Sequence, residues 1–235
     1  MKALRTKICT YAIALLVSCG FATISMAGSS DFAGIYGAFN ASAGGAAING
    51  RHTDQSGLVT SGQVGGVFPM AGYELGFNLP LGPHFFLGAG HSWTKGGTVS
   101  IADGEDGSLQ SGTKSSGEDP NDRTNFHLKA KNLKEVYLTP GISIYDNSAV
   151  YVKIGRTIAD TEVSGDVVGV PGNLTGDTLG VGTIAMTPSG IFIKTEGTVT
   201  RFEAISLTGV GGSVNSKVEG TPDMVAGTIA IGFKF

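Results

Sequence analysis

The pair His91-Ser92 places a base beside a hydroxyl nucleophile, which makes it the first candidate for hydrolytic chemistry. Such chemistry needs the imidazole within hydrogen-bond reach of the hydroxyl. On a β-strand, however, neighbouring residues point to opposite faces, and the next residue is Trp93. His91 and Ser92 are therefore expected to be divided by a sheet. His52, His84 and His127 stand alone, with no second ligand at metal-binding spacing. Residues 102–125 hold Asp103, Glu105, Asp106, Glu118, Asp119 and Asp122, but not in the order of a calcium loop. They read as an acidic, solvated loop. No catalytic, cofactor-binding or metal-binding residue is assigned, and no enzyme activity is expected.

Six other ionisable residues share a different property: Glu74, Glu135, Lys153, Lys194, Glu196 and Lys234 fall on the polar side of alternating segments. In 67–79, Val67, Ala71, Tyr73, Leu75, Phe77 and Leu79 oppose Gly72, Glu74, Gly76 and Asn78. In 149–158, Val150, Val152, Ile154 and Ile158 oppose Tyr151, Lys153, Gly155 and Thr157. In 224–235, Val225, Ile229, Ile231, Phe233 and Phe235 oppose Ala226, Thr228, Ala230, Gly232 and Lys234. A period of two places these sets on opposite sides of a sheet. With Gly, Thr, Ser, Val and Ile abundant and no sustained 3.6-residue period, the chain reads as all-β.

The elements that must position these residues are separated by breaks of two kinds. Short breaks at 80–84, 145–148 and 187–190 alternate with long polar breaks at 47–62, 102–125, 164–177 and 208–223, which predicts eight strands. Long loops at one end and short turns at the other are a feature of outer-membrane barrels. Pro140 lies inside a strand candidate, where it cannot donate a ladder hydrogen bond. A bulge or shifted boundary is expected there, and a split at that point would raise the count to ten.

Two architectures fit the alternation: a sandwich with the apolar face inward, or a barrel with it outward. Gly72, Gly76, Gly88, Gly90, Gly180, Gly182 and Gly232 all lie on the non-apolar face. A solvated face has no need of small residues, whereas the lumen of an eight-stranded barrel barely admits side chains. The expected fold is an eight-stranded antiparallel up-and-down transmembrane β-barrel. The six ionisable residues then face its lumen, where three acids and three bases must pair.

Residues 1–27 read as a cleaved signal peptide: Lys2, Arg5 and Lys7, an apolar run at 8–17, then Ser25 and Ala27 before Gly28. Alternatively, Leu16-Val17-Ser18-Cys19 fits a lipobox, with a lipid on Cys19. The barrel domain then spans 28–235 and holds neither Cys9 nor Cys19, which excludes disulfides and thiolate metal sites. It carries 13 Lys+Arg against 19 Asp+Glu, about −6, which argues against nucleic acid as a partner. No later run approaches 18 apolar residues, so a membrane-spanning helix is not expected.

Residues 224–235 close on a terminal Phe, and Phe233 and Phe235 belong to an alternating apolar set. This resembles the C-terminal signature by which bacterial outer-membrane barrels are recognised by their assembly machinery. Residues 31–40 look like the opening strand of the OmpA/OmpX/opacity-type barrel superfamily. Gly180, Gly182, Lys194, Glu196, Arg201 and Phe202 look like its penultimate hairpin. The resemblance covers 28–235 and implies an integral protein of the Gram-negative outer membrane with a structural, adhesive or surface-antigen role. Its outer loops would meet a host or cell-surface partner, and no cofactor is implied.

The resemblance further implies that Glu74, Glu135, Lys153, Lys194 and Glu196 form a lumen charge network that plugs the barrel or gates a very small conductance. A narrow gated pore is accordingly the second reading, and a merely satisfied polar interior the plain one. A lipid-A deacylase on such a barrel would need His-x-Ser, which His91-Ser92 does not supply. Lys129, Lys131 and Lys134, near the outer rim of their strand, are expected to contact lipopolysaccharide phosphates. Trp93, Tyr73, Phe85, Tyr145 and Phe233 are expected to form interfacial girdles.

Overall fold

A computed structural model of the chain describes residues 28–53, 57, 59–95, 99–102, 126–145, 147–165, 167–169, 172–209 and 217–235. The export segment expected at 1–27 and most of the acidic stretch at 102–125 lie outside these residues. The strands are β1 (Gly34–Thr53), β2 (Val59–Pro80), β3 (Phe85–Lys95), β4 (Val99–Ala102), β5 (Phe126–Tyr145) and β6 (Ser148–Gly165). They continue with β7 (Val167–Val168), β8 (Asn173–Met186), β9 (Ile191–Phe202), β10 (Ile205–Gly209) and β11 (Lys217–Lys234). A 3-10 turn at Ser29–Phe32 precedes them.

Eight of these are staves of one closed barrel, in the order β1-β2-β3-β5-β6-β8-β9-β11, with β11 returning to β1. All neighbouring pairs are antiparallel. Closure leaves no stave with an open edge inside the wall, which is the condition for a sheet to sit in hydrocarbon. The three short strands lie outside the ring of staves: β4 on β5, β10 on β11, and β7 on β10.

The stagger can be read from the register. Crossing from Tyr36 through Gly76, Gly90, Tyr137, Gly155, Thr178, Thr200 and Met224 brings the path back to β1 at Ala46, ten residues further on. A shear of that size over eight strands corresponds to staves tilted by roughly 40°. Tight connections at one end use backbone that favours glycine. Gly82 has φ 95° and Gly190 φ 89°, and the Gly190 amide donates to the Thr187 carbonyl at 3.0 Å. That end is called the turn end here, and the opposite one the loop end.

The structure departs from the expected boundaries at the loop end. β1 runs to Thr53 and β2 starts at Val59, so the long break expected at 47–62 is a short connection between two long staves. β8 likewise begins at Asn173 and β11 at Lys217, inside the breaks expected at 164–177 and 208–223. These segments are polar because they stand beyond the apolar belt. Their backbones are paired all the same, and outward contacts there are ionic: Glu219 receives Arg51 at 2.6 Å and Lys217 at 2.6 Å.

Pro140 produces no bulge. Leu138 faces Ile154 and Gly141 faces Tyr151 in one unbroken register, and Pro140 points outward opposite Leu87. The register shifts instead between Ser143 and Tyr145 and between Lys131 and Lys134, where Asn132 adopts φ 48° and its amide donates to Asp160 Oδ2 at 3.0 Å. Asn tolerates the left-handed conformation used at the Lys131–Lys134 shift, whereas Pro removes one donor and leaves the pairing around it intact.

Outside, 25 large apolar side chains among the described residues are exposed, too many for a wall that meets water. They form a belt around the staves, with Ile35, Leu75, Val136, Ile154, Leu179 and Ile229 among them. The belt ends abruptly toward the loop end. Ile154, Leu179, Val199 and Val225 form one register row across β6, β8, β9 and β11, and the next outward row is Arg156, Asp177, Arg201 and Asp223. Tyr73 meets Trp93 edge-on at 5.5 Å near this boundary, and Phe233 meets Phe235 at 5.3 Å near the turn end. Such a band, apolar between aromatic and charged margins, is a surface shaped for a bilayer.

Candidate functional site

The lumen is the part of the barrel where chemistry-bearing side chains converge. Alternation turns every second residue of each stave inward, and the stagger decides which inward residues meet. Three layers result.

The turn-end layer is apolar. Phe32 is fully buried and stacks on Phe86 at 5.8 Å, with Tyr36, Tyr151, Met186 and Phe192 beside them. The 3-10 turn is tied down over the barrel mouth: Asn78 Nδ2 donates to the Phe32 carbonyl at 3.0 Å, Ser29 N–H to Pro83 at 2.7 Å, and the Ser29 hydroxyl to Gly82. The loop-end layer is apolar too, built from Ile48, Phe68, Leu174 and Phe202, with Ile205 and Leu207 of β10 folded over it.

The layer between them is ionic. Lys194 Nζ lies 2.5 Å from Glu74 Oε1 and donates to Oε2 at 2.6 Å. Lys153 Nζ bridges Glu135 Oε2 at 2.7 Å and Glu196 Oε1 at 2.8 Å. Three tyrosines join the pairs. Tyr137 donates to Glu74 at 3.2 Å, shares a 3.1 Å contact with the Tyr36 hydroxyl, and offers its ring face to Lys153 at 4.3 Å. Tyr151 donates to Glu196 at 2.9 Å. Buried ammonium and carboxylate groups persist only when paired and hydrogen-bonded in this way.

Room for the tyrosine rings comes from glycine. Tyr36 stands opposite Gly76, Tyr137 opposite Gly90, Tyr151 opposite Gly182, Phe86 opposite Gly141 and Phe192 opposite Gly232. In each case a Cβ on the glycine would fall on the facing ring.

Of the residues singled out from sequence, Glu74, Glu135, Lys153, Lys194 and Glu196 are brought together by the fold. Lys234 is not among them: its ammonium donates to the Asp31 carbonyl at 2.6 Å at the turn end. The expected match of three acids with three bases is therefore corrected to three acids with two, because Lys234 lies near the end of its stave and the cluster at mid-height. Tyr36 and Tyr137 were missed, and Tyr151, though placed on the polar face, was not joined to the cluster. Tyr137 follows Glu135 by two residues and Tyr151 precedes Lys153 by two, so the same alternation could have found them.

Lys131 is paired with Glu162 at 2.5 Å, while Lys134 is exposed beside Trp93 and forms no ion pair among the described residues. The side chain of Lys129 lies outside what the structure describes. His91 points outward between Leu75 and Val136, and Ser92 points inward, its hydroxyl donating to Glu135 at 3.3 Å. No group of three His, Cys, Asp or Glu among the described residues is placed to hold a metal ion.

No protein-family model matches the sequence, and no curated protein sequence does. Solved structures of similar fold include OprG, an outer membrane protein of Pseudomonas aeruginosa, at 11% identity and TM-score 0.46, covering 91% of this chain and 99% of that one. The outer membrane protease OmpT of Escherichia coli gives 12% identity and TM-score 0.41, over 93% of this chain and 100% of its own. Ail, the attachment invasion locus protein of Yersinia pestis, solved with the heparin analogue sucrose octasulfate, gives 13% identity and TM-score 0.36, over 82% and 98%. At these identities and scores the likeness brings no function with it.

Proposed function

We propose that the protein is an integral, non-catalytic barrel of the Gram-negative outer membrane whose working surface is its loop end, in a structural, adhesive or surface-antigen role. The observation that carries this reading is an apolar outer wall around a lumen packed with side chains apart from one small polar cavity. A wall of that kind belongs in a bilayer. Two apolar layers enclosing an ion-paired one leave little room for solute to pass. The loop end, where β1, β2 and β11 run beyond the charged row, is the part free to meet a host or cell-surface partner.

In this reading residues 1–27 are the cleaved export signal, and Phe233 and Phe235 belong to the strand end offered to the assembly machinery. Protein from the outer-membrane fraction is expected to run as a compact band in SDS unheated, to shift on boiling, and to give no single-channel steps in planar bilayers. Discrete steps that change with Glu74→Gln or Lys194→Met would replace this reading with the narrow gated pore. The polar cavity beside the ionic layer is the observation that favours that second reading.

The outer leaflet is the natural partner of the boundary row. Cations at a membrane edge attract anionic headgroups, and Lys134, unlike Lys131, forms no ion pair among the described residues. Lys134→Glu is expected to reduce the lipopolysaccharide that co-purifies with the barrel, while Lys131→Glu, whose partner is already Glu162, leaves it near the wild-type amount. Equal losses in both variants, measured by mass spectrometry of the purified protein, would remove Lys134 from this role.

A further inference from the structure

The ionic layer does not balance. Glu74 is met by Lys194, and one ammonium, that of Lys153, serves both Glu135 and Glu196. Among the described residues no further base pairs with any of the three carboxylates, so a formal charge of −1 remains inside the wall. The surplus is localised by hydrogen bonding. Glu135 Oε2 takes both Lys153 and the Ser92 hydroxyl, whereas Glu135 Oε1 is buried and receives no donor. An uncompensated charge in such surroundings is costly and is relieved by a counter-ion or by a proton.

Space for one lies beside it. A cavity of about 60 Å³ between the ionic layer and the loop-end layer is lined by Glu135, Asn40, Ser92 and several threonines, with Glu74, Glu196 and Lys153 of the ionic layer at its wall. Asn40 Oδ1 is a second buried acceptor without a donor, and it lines the same cavity. The hydroxyls of Thr157, Thr178 and Thr200 form a chain at 2.8 Å per link along another side. Carboxylate, amide carbonyl and hydroxyl oxygens suit hard cations, and the absence of a converging His, Cys, Asp or Glu group among the described residues argues against a transition metal. A cavity of this size accommodates a few waters or an ion that keeps some of them. One positive charge neutralises the layer, and two would overshoot it.

We propose that the lumen binds a single monovalent alkali cation, with the Glu135 carboxylate as counter-charge and the Asn40 carbonyl and neighbouring hydroxyls as further ligands. Lying between two apolar layers, the ion is taken up as the barrel forms and exchanges slowly afterwards. The inference goes beyond the surface role proposed above and does not depend on it.

The test is refolding into detergent micelles in sodium, potassium or choline chloride at equal ionic strength, followed by the heat-induced shift in gel mobility. The wild type is expected to shift at a lower temperature when refolded in choline. It should also retain about one sodium per barrel after gel filtration into choline buffer, measured by atomic emission. Glu135→Gln should abolish both the salt dependence and the retained sodium. Asn40→Leu leaves every ionisable group in place, and it should remain heat-modifiable while losing the retained ion. Identical midpoints in the three salts together with no retained cation would overturn the proposal. A midpoint that follows pH but not the cation would also overturn it, since a proton would then balance the layer. If wild-type barrels stay silent in bilayers but also hold no sodium, the cation site fails while the surface role stands.

Discussion

Lys153→Met is expected to lower the stability of the barrel by about 3–5 kcal/mol, the cost of stranding a buried charge. The effect should be large because this one ammonium is shared by Glu135 and Glu196, and its own side chain is almost fully enclosed. Its loss leaves two carboxylates without an ammonium in contact, and Glu196 keeps only the Tyr151 hydroxyl among the described residues. Arg156 gives the contrast. It makes two ion pairs of similar length, to Asp177 and Glu203, but all three side chains are more than half exposed. Arg156→Met should therefore cost within about 1 kcal/mol. Urea titrations of the refolded barrel in lipid vesicles measure both. A triple variant with Lys153→Met, Glu135→Leu and Glu196→Met should recover much of the loss, because apolar side chains of similar volume leave no charge stranded beside Glu74 and Lys194, which still pair. Equal midpoints for the single and triple variants would show that the ionic layer is not where the loss arises.

Gly90→Leu is expected to prevent a heat-modifiable barrel from forming. Its Cβ would fall 2.6 Å from Cζ of Tyr137, the ring that faces this glycine across the β3–β5 pair. Overpacking alone costs about 1–3 kcal/mol. Here the ring cannot move without drawing its hydroxyl from Glu74 and Tyr36, and a hydrogen bond to a charged group adds about 1.5–3 kcal/mol. Gly197→Leu is the control. It sits in a stave as Gly90 does, but faces outward with nothing within 4 Å of an added Cβ. A new leucine there joins the apolar belt, so folding should be unaffected. The comparison is read from the fraction of each variant that runs as the unheated compact band. Folding of both variants alike would mean that the rings are free to repack.

Alternation made much of this legible, because a period of two assigns each residue to a face without reference to any other strand. Glu74, Lys153, Lys194 and Glu196 were placed inside on that ground, and Leu75, Ile154 and Ile229 outside. Height along the barrel axis is a different quantity. It depends on the ten-residue stagger accumulated over eight pairings, which no local pattern contains. Lys234 shares a face with Lys194 and was matched to the same acids, yet it ends near Asp31. Glu74 and Lys194, by contrast, are 120 residues apart and in contact. The loop end misled for a related reason. Polarity at 47–62 was read as loop, but beyond a bilayer a paired strand has no call for apolar side chains. Residues such as Arg51 are as strand-bound as Ile35.

The rings that rest on glycines also bear on how the chain reaches this state. Tyr36 with Gly76 joins β1 to β2, and Tyr137 with Gly90 and Phe86 with Gly141 join β3 to β5. Tyr151 with Gly182 joins β6 to β8, and Phe192 with Gly232 joins β9 to β11. Each couples two staves that follow one another across the loop end, and together they mark every such hairpin once or more. A slip of one residue turns a hairpin inside out, and a slip of two sets the ring against a side chain larger than hydrogen in most of these pairs. Four hairpins can thus settle their own alignment at small cost in chain entropy, before the first and last staves have to find each other across the full length of the protein.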